Sequence, residues 1–165
     1  MKKAFYIFLS ILCLSFIFFN SSQNGTKSNI RSNNVVEKVI TDVKENKIST
    51  PIISKIHINM KQFNLVLRKF AHGFEFAILS IVLFRCFTFF KINKGSIKIY
   101  TLFLILLSAV VDEFLQLYIP GRNSSVKDVV IDFIGGCFGL LIIEITLYIK
   151  CKYNDKITKN KITIL

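Results

Sequence analysis

The chain has 165 residues and a formal net charge of +12; 52% of it is hydrophobic, with 17 Phe and no Trp. The length bounds it to one domain of modest size, and apolar residues gathered into long runs argue for membrane spans over a soluble core. The basic residues lack the interleaved aromatics of single-strand binders, so nucleic acid is not expected as a partner; they read as flanks that hold spans in place.

Lys2 and Lys3 precede an apolar run over residues 4–19. It is short for a span. The following Phe-Phe-Asn-Ser-Ser lacks a small-residue cleavage site, so the run is expected to be an uncleaved signal anchor. Residues 20–67 form a connector rich in Asn, Ser and Lys, expected outside the cell. Within it, 35–40 and 52–67 have scattered apolar positions that fit short amphipathic helices on the membrane surface.

Spans two, three and four are expected over 70–90, 97–119 and 126–149. A polar turn follows the second, and Pro120-Gly121 ends the third. Gly135 and Gly139 form a GxxxG that would let another helix approach closely. The turn 85–98 holds Arg85, Lys91, Lys94 and Lys98 and no acid; the tail 150–165 holds five lysines and one Asp. These regions and Lys2-Lys3 are expected in the cytoplasm. The predicted fold is therefore an all-α integral membrane four-helix bundle with cytoplasmic N and C termini. The bundle occupies 4–149, and a basic cytoplasmic tail occupies 150–165.

The cysteines (Cys13, Cys86, Cys137, Cys151) have no CxxC spacing, which argues against a zinc knuckle or redox pair. The ionisable residues say more. His72 with Glu75, Asp112 or Glu113 with Gln116, and Asp128 with Asp132 are spaced i,i+3 or i,i+4, so each pair projects from one face of its helix. In the predicted topology all three pairs fall at the outer-leaflet ends of their spans. His72 and Glu75 lie about 6–10 Å inside the second span, and Asp132 about 8 Å inside the fourth. Arg68, Lys69, Arg122 and Lys127 rim the same opening.

So many carboxylates cannot share a low-dielectric site uncompensated. Two readings stay open. One is a salt-bridge network that locks helix ends together. The other is a polar pocket that binds a headgroup or supports acid–base chemistry. In the second, His72, Glu75, Asp112 and Asp132 form the acid–base cluster. Arg68, Lys69, Glu113, Gln116, Arg122 and Asp128 contact substrate, and Asp112, Asp128 and Asp132 are candidates to hold a divalent cation.

These residues resemble the VanZ-like membrane protein family. Arg68-Lys69-Phe70-Ala71-His72 with Glu75-Phe76 is similar to its Arg-Lys-x-x-His-x-x-Glu-Tyr element. Asp112-Glu113-Phe114-Leu115-Gln116, Pro120-Gly121-Arg122, Asp128, Asp132 and Gly135-Gly136 resemble its longer second motif, and Asn20-Ser21-Ser22-Gln23 its Ser-Ser-Gln stretch. Phe76 departs from the family's usual Tyr. The resemblance implies a multi-pass bacterial cell-membrane protein of the envelope. The family's name-giving member is linked to teicoplanin resistance. The expected partners are membrane lipids, a lipid-linked cell-wall precursor or a lipoglycopeptide. The enzyme alternative is a membrane-embedded hydrolase or transferase acting on a lipid-linked substrate. The structural alternative is a helper that joins an envelope complex through Gly135 and Gly139.

Overall fold

A computed structural model describes residues 1–23, 60–90, 92–122 and 124–163. They form four helices: α1 (Lys2–Ser21), α2 (Met60–Thr88), α3 (Lys94–Gln116) and α4 (Val126–Thr163). No proline falls inside any of them, so each backbone satisfies its own hydrogen bonds, as hydrocarbon requires. The expected surface stretch 35–40 lies outside the described residues. Of 52–67, residues 60–67 belong to the first turns of α2. The Lys-rich tail continues α4 as helix to Thr163.

Three helices are long and apolar enough to cross a membrane: α1, the Leu65–Thr88 part of α2 and the Val126–Asn154 part of α4. The expected third span corresponds to α3, which stops at Gln116 with Asp112, Glu113 and Gln116 buried in its last turns. The bundle core is narrow. Ile17, Phe76, Leu79, Leu83, Ile105 and Ala109 pack in one cluster, and Phe84, Ile97, Leu140 and Ile143 in a second. Phe8, Phe16, Phe74, Phe103, Phe114 and Phe138 face outward. An apolar exterior of this kind marks a surface that a membrane or a partner protein covers. Phe76 is fully buried, so its ring fills core where the family's usual Tyr would bring a hydroxyl.

The broadest packing joins α2 to α4, and its cause is local. A Cβ built on Gly135 would lie 2.1 Å from the Gly73 carbonyl oxygen, and one on Gly139 would lie 2.2 Å from that of Ala77. The glycine pair thus receives α2 of the same chain, backbone against backbone. Gly136, one position on, faces Ile105 of α3, whose Cγ2 a Cβ would approach to 2.4 Å.

Helix ends are set by short-range chemistry. The Asn93 side chain accepts the Gly95 N–H at 3.2 Å and caps α3. After α3, Pro120 and Gly121 occupy the centre of a turn closed by the Arg122 N–H on the Ile119 carbonyl at 3.2 Å. Gly121 has φ 77°, the left-handed backbone that glycine adopts without strain. At the opposite end of the bundle Lys98 pairs with Glu144, and Lys3 lies 5.6 Å above the Phe90 ring.

Candidate functional site

The end of α1, the start of α2, the end of α3 and the start of α4 meet at one end of the bundle. The ionisable residues expected to form the site lie there, while Glu144 pairs with Lys98 at the far end. Arg68, Lys69, His72, Glu113, Gln116, Arg122, Asp128, Ile131 and Asp132 line a cavity of about 20 Å³, room for one water or one bare ion.

Asp112 and Asp132 lie deepest, at 0% and 1% exposure. Asp112 Oδ2 accepts two hydrogen bonds, from Ser21 Oγ at 2.7 Å and from Gln116 Nε2 at 2.8 Å. Its partner in α3 is therefore Gln116, at i,i+4. Glu113 turns instead towards α4, where its Oε2 accepts the Ser125 N–H at 2.9 Å. A carboxylate at a helix start is well placed against the partial positive charge there. Glu75 Oε1 accepts from Asn20 Nδ2 at 2.8 Å. Glu75, expected in the acid–base cluster with His72, thus has its hydrogen-bond partner on α1.

Asp128 and Asp132 leave α4 one turn apart but meet different neighbours. Asp128, nearer the opening, pairs with Lys69. Asp132 points inward, within reach of His72 and Asp112: one ligand-capable atom from each of the three lies within 4.8 Å of the others. The grouping therefore contains His72, with Asp128 taken up by the Lys69 ammonium.

Arg122 ties the site together. The tight turn sends its guanidinium back over the bundle end, where Nη2 donates to the Asn20 carbonyl at 2.9 Å. Nε donates to the Gln23 carbonyl at 3.1 Å, and Nη1 to Gln116 Oε1 at 3.3 Å. Burial and the nearby Arg68 draw its pKa below the usual arginine value, against the pull of Asp112 and Glu113. It remains a cation at neutral pH.

A family model described as VanZ/LLP1 matches residues 5–147. The chain belongs to the VanZ/LLP1 family. No curated protein and no solved structure matches it. The VanZ/LLP1 match reaches into all four helices, and the whole site falls within the matched residues.

Two side chains that hydrogen-bond to the site's carboxylates were not among the residues expected in it: Asn20 and Ser21 of α1, which donate to Glu75 and Asp112. Their signal was the Asn20-Ser21-Ser22-Gln23 stretch, polar residues placed directly after an apolar run.

Proposed function

We propose that this VanZ-like protein spans the bacterial cell membrane four times with both termini in the cytoplasm. Its polar end then opens at the outer leaflet, where it binds an amphiphile with an anionic head and a hydrocarbon tail. The observation that carries this reading is the position of Lys69. It lines the small polar cavity and also an apolar groove of about 550 Å³ between α2 and α4, walled by Phe70, Phe74, Ile134 and Phe138. A headgroup held by Arg68 and Lys69 would leave its tail in that groove. Arg68 favours the same role, since no ion pair joins it to another described residue, and a guanidinium grips phosphate or carboxylate through paired N–H groups. Cytoplasmic placement of the Lys98 end follows from the cations concentrated there.

Three sources share this chemistry: an anionic membrane lipid, a lipid-linked cell-wall precursor and a lipoglycopeptide. In the third case binding at the outer leaflet would contribute to teicoplanin resistance. A hydrolase or transferase reading is favoured by one observation, the closeness of His72 to a buried carboxylate, Asp132.

The test is the minimum inhibitory concentration of lipidated teicoplanin and of unlipidated vancomycin in a susceptible Gram-positive host, at matched membrane levels of wild type, Arg68→Ala, Asp132→Asn and Glu144→Gln. The expected result is a rise for teicoplanin alone with wild type and Glu144→Gln, and a loss of at least half of it with the other two variants. No difference from the empty host removes the lipoglycopeptide arm; envelope lipid and precursor profiles then decide between the remaining two. Accumulation of an uncleaved lipid-linked species with Asp132→Asn would favour the enzyme.

A further inference from the structure

Asp112 has one carboxylate oxygen fully used and the other bare. Ser21 and Gln116 both donate to Oδ2, while Oδ1 is buried and has no hydrogen-bond partner among the described residues. Asp132 Oδ1 is likewise buried without a partner, as is Glu75 Oε2. An ionised oxygen stripped of water and left unpaired is among the costliest arrangements in a folded chain. Here two such oxygens belong to residues grouped with a His72 ring nitrogen, all within 4.8 Å of one another.

We propose that His72, Asp112 and Asp132 hold one divalent transition-metal ion. Ligands about 2.0–2.2 Å from a metal stand roughly 3.3–4.4 Å apart, so the group closes on an ion with small side-chain rotations. Imidazole nitrogen beside two carboxylates suits Zn²⁺ or Mn²⁺ better than Mg²⁺ or Ca²⁺, which take oxygen sets. Three protein ligands leave a coordination position open, and two of the three, His72 and Asp132, also line the small cavity. Ser21 and Gln116 act as the outer partners that fix a ligating carboxylate by its non-ligating oxygen. Five carboxylates (Glu75, Asp112, Glu113, Asp128, Asp132) share this end with four cations (Arg68, Lys69, Arg122, Lys127), so acids outnumber bases where the ion would sit.

The proposal goes beyond the amphiphile reading and is tested without lipid ligand or antibiotic. Full-length protein in detergent is stripped with chelator and dialysed against Zn²⁺, Mn²⁺ or Mg²⁺. Bound metal is counted by mass spectrometry, and the unfolding temperature is followed. We expect one Zn²⁺ or Mn²⁺ per chain and a higher unfolding temperature with it. Binding should weaken by at least about 100-fold in Asp132→Asn and His72→Gln. In Ser21→Ala, which alters only an outer partner, the loss should be about 10- to 100-fold. Glu144→Gln should bind as wild type. Substoichiometric metal in the wild type, binding of Mg²⁺ alone, or undiminished binding in both ligand variants would each overturn the assignment. Should the ligand variants fail to fold, Co²⁺ added to wild type decides: visible bands of nitrogen and oxygen ligation uphold the site, and their absence rejects it. Resistance measured in cells stands apart from this readout, so either proposal can fail alone.

Discussion

Gly135→Ala and Gly139→Ala are expected to strip the protein from the membrane fraction or leave it aggregated on extraction, whereas Gly73→Ala is expected to yield near-normal monodisperse protein. The asymmetry comes from what each added methyl group meets. On Gly135 and Gly139 it falls 2.1 and 2.2 Å from backbone carbonyl oxygens of α2. Backbone cannot rotate out of the way, so the helices must separate along their length. Overpacking into side chains costs about 1–3 kcal/mol. With rigid backbone on the receiving side the loss should exceed that range, against a total stability of only about 5–15 kcal/mol. On Gly73 the nearest atom is the Ile131 carbonyl oxygen at 3.7 Å, an ordinary contact. Size-exclusion profiles after detergent extraction separate the outcomes. Equal behaviour of all three variants would mean that α2 and α4 do not pack through this face. Because α2 carries His72 and α4 carries Asp132, any separation also pulls the site apart.

Arg122→Ala should lower stability by about 2–3 kcal/mol, in line with hydrogen bonds made by a charged group. The substitution removes three donations at once and frees the end of α1 from that of α3. Arg122→Lys should recover less than half of the loss, since one ammonium cannot reproduce a planar fork aimed at three separated oxygens. Thermal unfolding in detergent measures both. Full rescue by Lys would show that the charge matters and the fork does not. A teicoplanin effect, where wild type has one, should fall with Arg122→Ala as well, because Gln116 and through it Asp112 lose their support.

Much of this was legible from spacing alone. The pairing of Asp112 with Gln116 and the gathering of ionisable groups at one bundle end follow from helical period and antiparallel order. Other parts depended on rotation and neighbours that periodicity does not fix. Asp128 and Asp132 share a face, yet one turn of depth gives the first to Lys69 and the second to His72 and Asp112. Glu113 lies beside Asp112 in sequence but about 100° around the helix, which aims it at the start of α4. Asn20 and Ser21 read as the polar exit of a span; their role became visible only once α1 lay against α2 and α3. The glycine pair was legible as a close-approach surface, while the helix that fills it, α2 of the same chain, was not.

The order of synthesis follows from the separation of these partners along the chain. The end of α1 leaves the ribosome early, carrying the hydroxyl for Asp112, 91 positions later, and the carbonyl for Arg122, 102 positions later. At about 5–20 residues per second, Asn20 waits roughly 5–20 s for its arginine. Asp132 comes later still, on α4, the fourth of the described helices. The polar end is therefore completed only once α4 has been made, after the other three helices that contribute to it.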